Sequence, residues 1–190
     1  MAADLAAARL NMVESQVRTA DVTDVRIHDA MRALDRETFV PLGRAYQAYA
    51  DATVEYAPGR FLLRPRDVAK LLQDAKPRAG ERALAIAAPY AAAVLETMGL
   101  TVERLDEGDL KAPPAGGYDL IVVEGAVSQA PEAWRRALAE GGRLAVIERN
   151  GPVGKAVLYV QAEDGLGRRV LFDATPPVLA GFEAEEGFAF

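Results

Sequence analysis

Residues able to carry out nucleophilic or metal chemistry are few in this chain, and their scarcity limits what it can catalyse. The sequence has no cysteine, which excludes disulfides, thiolate nucleophiles and cysteine-based zinc sites. His28 is the only histidine, and Ser15 and Ser128 are the only serines. Since His28 lies beside the apolar stripe of a predicted helix, it is poorly placed for a Ser-His-Asp arrangement. We predict no metal site, no serine hydrolase activity, and a packing or surface role for His28.

Two groups of residues resemble ligand-binding motifs without meeting their requirements. Residues 151–155, Gly-Pro-Val-Gly-Lys, lack the four-residue spacing of a phosphate-binding loop and the hydroxyl that follows its lysine. The acidic groups at 106–109 and 183–186 could attract a cation, but solvated loop charge is the more common reason for such clusters. We predict a turn for the first segment and solvated charge for the other two.

The composition is typical of a one-domain globular protein without a nucleic-acid partner. A chain of 190 residues that is 51% hydrophobic can bury one sizeable core. The net charge of −6 contains both signs along the whole chain, so no basic stripe is available for a phosphate backbone. The apolar runs are much shorter than the roughly 20 residues that span a bilayer, and the first residues do not resemble a signal peptide. We expect a cytoplasmic protein with no membrane partner.

The elements that would position a site alternate between helix and strand. Apolar residues at helical spacing predict two helices within residues 1–60, which we assign as a helical N-terminal lobe. From residue 61 the chain predicts a helix ending before Pro77, a buried strand at 83–87, a helix at 89–98 and a strand at 100–105. This order predicts parallel strands joined by a right-handed crossover.

The second half of the sequence predicts two more buried strands and a hairpin. The strands lie at 118–123 and 143–148, with a helix from Pro131 to Leu138 between them. Residues 155–161 and 168–173 are separated by a short glycine-containing turn, which predicts an antiparallel hairpin.

Several segments are similar, in order, to protein-L-isoaspartate O-methyltransferases. The segments are Met12-Val13-Glu14-Ser15-Gln16-Val17-Arg18, Asp29-Ala30-Met31-Arg32, Arg36-Glu37-Thr38-Phe39-Val40-Pro41, Tyr118-Asp119-Leu120-Ile121-Val122 and Gly141-Gly142-Arg143-Leu144. The resemblance implies a seven-stranded Rossmann-like fold that binds S-adenosylmethionine at the carboxyl ends of its strands. It also implies methyl transfer to an isoaspartyl carboxylate in damaged protein.

The loop after the first sheet strand departs from this family's pattern. Where the family has an acidic residue followed by Ile-Gly-x-Gly-x-Gly-Tyr, this chain has Ala85-Ile86-Ala87-Ala88-Pro89-Tyr90-Ala91. Glycine permits positive φ and a close approach of backbone to ligand, and proline has no N–H to donate. The favoured interpretation is that these residues make a tight, well-packed strand-to-helix turn, in which Ala87 and Ala88 are vestigial cofactor-binding positions.

The substrate loop departs as well. Leu63 stands where the family carries a serine, and an apolar side chain cannot orient a carboxylate. Arg60 or Arg64 could still bind an anion, although solvated surface charge is the more common role for such arginines.

A deletion follows the second sheet strand. Only 13 residues separate Arg104 from Tyr118, too few for the helix and strand that the family has there. An edge strand-helix unit is therefore missing, and we expect residues 100–105 to be short, flanked by charge or covered by a partner chain. Glu103 matches the acidic residue that bonds the cofactor ribose in the family, and we include it as a third vestigial cofactor-binding position.

The sequence therefore predicts one α/β domain over residues 1–190, a Rossmann-like class I methyltransferase sheet with a helical N-terminal lobe (1–60). The core (61–190) ends in an antiparallel hairpin and lacks one edge strand-helix unit. Two functions fit this fold. The favoured one is a catalytically inactive homologue with no catalytic residue and no cofactor, acting as a binding or scaffolding protein for an unidentified partner. The alternative is an active S-adenosylmethionine-dependent protein carboxyl methyltransferase.

Overall fold

The computed structural model describes residues 4–184, and its centre is a mixed sheet of six strands. The strands of this sheet and of a separate two-stranded hairpin, numbered together in chain order, are β1 (Val54–Ala57), β2 (Arg60–Leu62), β3 (Arg82–Ile86), β4 (Thr101–Leu105), β5 (Tyr118–Val127), β6 (Leu138–Arg149), β7 (Gly154–Ala162) and β8 (Gly165–Asp173). The helices are α1 (Leu5–Met12), α2 (Val25–Ala33), α3 (Pro65–Ala75), α4 (Pro89–Thr97) and α5 (Glu132–Arg136). The spatial order is β4-β3-β5-β6-β7-β8, while β1 and β2 pair separately as a hairpin.

The strand directions confirm the predicted α/β architecture. Strand β3 pairs in parallel with both β4 and β5, and β5 pairs in parallel with β6. Strands β7 and β8 then add antiparallel neighbours, which is the predicted C-terminal hairpin. Alternate residues of the parallel strands pack on opposite faces of the sheet: Ala83 and Ala85 lie in one hydrophobic cluster, and Leu84 and Ile86 in another. This continuous burial explains why the strand is apolar without a break.

The N-terminal lobe is helical, as predicted, and packs against the first of these faces. Asp4 and Asp24 cap α1 and α2 by accepting hydrogen bonds from backbone N–H groups of the first turn, the usual role of aspartate at a helix start. His28 is buried, with Nε2 2.9 Å from the Val22 carbonyl oxygen, so its role is packing. The β1–β2 hairpin spans the expected boundary between lobe and core at residues 60 and 61.

The helix predicted to reach Leu138 is shorter than expected. Helix α5 ends at Arg136, and Leu138 already pairs with Tyr118 as the first residue of β6. The register of β6 then shifts, so that Arg143 pairs with Leu120. The glycines at 141 and 142 therefore lie in a bulge within a strand, not at the end of a helix, and Gly141 has φ of +73° there.

The missing edge unit is confirmed for the described residues. Strand β4 lies at the edge of the sheet, and residues 4–184 contain no further strand beside it. Arg104 of β4 pairs with Glu96, and Glu103 with Arg82, so charge flanks this short strand as expected. Within the same residues, no helix has the length and apolarity needed to cross a bilayer, and no cluster of three or more metal-binding side chains occurs.

Candidate functional site

The position where this topology would place a ligand is the carboxyl end of β3. The chain leaves β3 toward β4 on one side and returns to β5 on the other. In open parallel sheets such a reversal opens a crevice beyond the carboxyl ends of the strands, where ligands bind. The turn Ala87–Ala88 and the last residues of β5, from Glu124 onward, lie at this point.

The turn at Ala87 and Ala88 is completely buried. Both alanines have 0% exposure, backbone included. The Ala87 N–H donates to the Leu105 carbonyl at 3.0 Å, and the Ala88 carbonyl accepts from the Ala92 N–H at 2.9 Å. Since Pro89 has no N–H, the first turn of α4 also lacks one donor that a ligand could use. No backbone at these two alanines is exposed to a ligand.

Ala87 nevertheless keeps a backbone conformation that favours glycine. Its φ is +47°, in the left-handed region, whereas Ala88 has φ of −131°. A left-handed residue with a Cβ costs about 1–2 kcal/mol. The strand-to-helix turn therefore has the shape that a glycine loop adopts, without the glycine.

Glycine substitutions at these two alanines should have different effects on stability. Each removes one buried methyl, worth about 0.8 kcal/mol, and adds about 0.5–1 kcal/mol of backbone entropy to the unfolded chain. Only Ala87→Gly also relieves the left-handed strain, so we expect it to stay within about 0.5 kcal/mol of the parent, while Ala88→Gly loses about 1–2 kcal/mol. Urea denaturation of the two variants measures the difference, and equal losses would show that Ala87 is not strained.

Two carboxyl groups of the chain itself occupy the N-terminus of α4. Glu124 is fully buried, and neither of its carboxyl oxygens has a hydrogen-bond partner among residues 4–184. Burial raises the pKa of Glu124 to about 8, and the opposing effects of Arg36 and the Ala91 N–H offset this only in part. Burial also raises the pKa of Asp106, against the effects of Arg104 and the Ala88 N–H. Glu124 is therefore mainly neutral at pH 7.

The lobe places a guanidinium beside these carboxyls. Arg36 has no exposed surface, and it donates from Nε to the Ala48 carbonyl at 2.8 Å and from Nη2 to the Leu63 carbonyl at 2.6 Å. Its Cζ lies 4.2 Å from the ring centroid of Tyr90, the second residue of α4. Tyr90 is fully buried too, which raises its pKa to about 12. Side chains of the protein thus fill the interior next to the turn.

Residues 175–184, which we name the C-terminal strap, close over the ends of the strands. Ala126 of β5 donates to the Pro177 carbonyl and accepts from the Leu179 N–H, which makes a parallel bridge. Gly125 has φ of +123°, and a Cβ there would lie 2.6 Å from Leu179 Cδ2. The strap also reaches the β1–β2 hairpin, because the Ala180 N–H donates to the Gly59 carbonyl at 3.3 Å. It joins lobe and core across the crevice.

Glu103 is not brought to Ala87 and Ala88. It lies in the middle of β4, level with Leu84, and accepts hydrogen bonds from Tyr118 Oη at 2.7 Å and from Arg82 Nη2 at 3.1 Å. Its assignment as a ribose ligand stays a prediction. Asp106, which the sequence suggested was only solvated loop charge, is the acidic residue next to Ala88. The signal for it was its position, directly after the strand.

The substrate-loop residues are engaged elsewhere. Leu63 is fully buried, and its carbonyl holds Arg36. Arg64 pairs with Asp67 through two hydrogen bonds of 2.7 and 3.3 Å. Among residues 4–184, the one hydrogen bond that the Arg60 side chain donates is to the carbonyl of its neighbour Gly59. The side chain of Leu63 itself offers no hydroxyl group at the position of the serine.

Sequence and structure comparisons with known proteins find relatives that share one name. A protein-L-isoaspartate O-methyltransferase from Methylorubrum populi is 37% identical, over 80% of this chain and 84% of that protein. The one from Methylorubrum extorquens is 35% identical, over 82% and 79%. A solved structure from Plasmodium falciparum, assigned as a protein-L-isoaspartate O-methyltransferase and in complex with S-adenosyl-L-homocysteine, superposes with a TM-score of 0.73 at 16% identity, over 90% of this chain and 97% of that one. No protein-family model matches the chain.

Proposed function

This chain belongs to the protein-L-isoaspartate O-methyltransferase family, and we propose that it has kept the family's fold while losing the methyl-transfer reaction. The observation that carries the proposal is the complete burial of Ala87 and Ala88. A cofactor held by this turn would need the backbone to face an open crevice. Here the Ala87 N–H is bonded to Leu105, and the chain's own carboxyls lie at the start of α4.

The residues present at the turn do not fit S-adenosylmethionine. The cofactor would have to displace Asp106, Glu124 or the side chains packed on them, and two alanine methyls would stand where the family has glycine hydrogens. Glu124 and Tyr90 are both fully buried, so displacing them would cost packing in the interior. We therefore assign no catalytic residue and no cofactor.

The substrate side supports the same proposal. Orienting an isoaspartyl carboxylate needs donors, and the loop offers buried Leu63 at the position of the serine. Arg64, a possible anion ligand, is neutralised by Asp67, whose side chain is almost fully buried. With neither a cofactor site nor a substrate site, the protein can still present its surface to another protein. We propose that it acts by binding or scaffolding a protein partner in the cytoplasm.

One observation favours the alternative, an active protein carboxyl methyltransferase. The relative from Methylorubrum populi is 37% identical to this chain, and the alignment extends over 84% of that relative. Similarity of this extent indicates the same fold, but catalytic activity depends on the residues of the site. The turn and the substrate loop, where this chain departs from the family pattern, are the parts on which the two functions differ.

Methyl transfer separates the two functions. We expect incubation with isotopically labelled S-adenosylmethionine and an isoaspartyl peptide to give no label in the peptide above that of a protein-free control. The Methylorubrum populi relative, purified and assayed side by side, serves as the positive control. A rate within tenfold of that relative would overturn the proposed loss of activity.

A further inference from the structure

Three buried polar side chains meet where the N-terminal lobe joins the sheet, and we name them the seam. They are Arg36 from the lobe, Tyr90 from the first turn of α4, and Glu124 near the carboxyl end of β5. All three have 0% exposure. Arg36 is the link between the two parts, because it holds the Ala48 carbonyl of the lobe and the Leu63 carbonyl of the core.

The seam is incompletely hydrogen-bonded. Arg36 Nη1, Tyr90 Oη and both carboxyl oxygens of Glu124 have no partner among residues 4–184, and the same holds for Tyr56 Oη and Asp106 Oδ1 next to them. The large majority of buried side-chain polar atoms in proteins are paired, so six unpaired atoms in one place mark a weak junction. Partly satisfied polar networks stabilise a fold less than an apolar contact would.

We propose that the seam is a proton-controlled lock, in which neutral Glu124 keeps the lobe closed on α4 and ionisation of Glu124 favours an open form. In the closed form the Glu124 side chain is fully buried, and Arg36 and the Ala91 N–H offset the cost of burial only in part, so a negative charge there is costly. In an open form, water solvates the carboxylate. The lobe would separate at Arg36 and expose the first turn of α4.

The groups that face Glu124 oppose this effect only in part. Arg36 attracts the carboxylate without donating a hydrogen bond to either of its oxygens, and Asp106 after β4 repels it. Tyr90 of α4 and Tyr56 of β1 stay neutral, since burial raises the pKa of both phenols. Among the described residues, Arg36 is therefore the main opposing charge at the seam.

The direction of the pH effect follows from proton binding. Burial raises the pKa of Glu124 from 4.5 to about 8 in the closed form, so between these values the closed form holds a proton that the open form has lost. Rising pH in this window favours opening by up to about tenfold per pH unit. Above about pH 8 both forms are ionised and the effect levels off.

Hydrogen–deuterium exchange of the full chain tests the lock. From pH 6 to pH 8, after correction for the intrinsic exchange rate, we expect protection of amides in residues 36–50 and in α4 to fall by about ten- to a hundredfold. At each pH these amides should be less protected than those of β6 and β7. Glu124→Gln cannot ionise and should abolish the change, whereas Glu148→Gln, a matched carboxyl whose pKa is lowered by hydrogen bonds from Tyr159 and Arg168, should leave it intact.

Two results would overturn the lock, and the first needs no variant. Protection of the lobe that does not change with pH in the parent chain would show that Glu124 does not control opening. Equal protection of the lobe and of β6–β7 at every pH would show that the chain opens only as a whole. The proposal does not depend on methyltransferase activity, so neither result bears on the loss of that reaction.

Discussion

Trp134→Ala is expected to lower the free energy of unfolding by about 3–5 kcal/mol, the range for removing a large buried aromatic side chain. The indole has no exposed surface, and Nε1 donates to the Leu110 carbonyl at 2.7 Å. Its ring centroid lies 5.2 Å from that of Phe182 in the C-terminal strap. Trp134 therefore holds two segments at once, the short connection that replaces the missing edge unit and the strap over the crevice.

The matched control is Trp134→Phe, measured by urea denaturation beside the alanine variant. Phenylalanine keeps an aromatic contact with Phe182 but leaves the buried Leu110 carbonyl without a donor, a loss of about 1–3 kcal/mol. We expect the order parent, Trp134→Phe, Trp134→Ala in decreasing stability. An alanine variant within 1 kcal/mol of the parent would show that neither segment depends on the indole.

Local pattern was sufficient for most of the fold. The apolar run at 83–87 and the helix at 89–98 were predicted from spacing, because each is buried by the layer directly above or below it. The 13 residues between Arg104 and Tyr118 predicted the missing edge unit by length alone. These features depend on residues that are close in sequence, or on whether a segment is long enough to form a helix and a strand.

The parts that sequence pattern did not predict depend on distant neighbours. Strand β5 was predicted over residues 118–123, yet the strand continues to Val127 with Glu124 buried. Its burial comes from the lobe and α4, which no local pattern contains. The strap has no helical or strand-like pattern of apolar residues that could predict it. It is held in place by backbone hydrogen bonds to Ala126 and by the close approach of Leu179 to Gly125.

At the candidate site, too, some features could be predicted from the sequence and others could not. The loss of glycine at Ala87 and Ala88 was visible in the sequence, but not that Ala87 keeps a left-handed backbone. Glu103 was assigned as a ribose ligand by its match to the family, and Asp106 as solvated loop charge. The register of β3 with β4 adds what the sequence did not contain, because it places Glu103 level with Leu84 and Asp106 after the end of β4.

Binding of S-adenosylmethionine tests the central claim most directly. A ligand at about 100 times its Kd stabilises the native state by about 2.7 kcal/mol, and each kcal/mol raises the Tm of a domain of this size by about 2–4 °C. An intact site with Kd on the order of 10 μM would thus give a rise of about 5–10 °C at millimolar cofactor. Losing two or three hydrogen bonds of about 1–1.5 kcal/mol each weakens binding by about two orders of magnitude.

The measurement is the Tm of this chain with and without S-adenosylmethionine at about 1 mM, with the Methylorubrum populi relative as the control for an intact site. Burial of Ala87 and Ala88 predicts a rise of about 1 °C or less for this chain. A reproducible rise of about 5 °C or more, with the cofactor or its demethylated product, would contradict the account and identify the chain as a cofactor-binding member of its family.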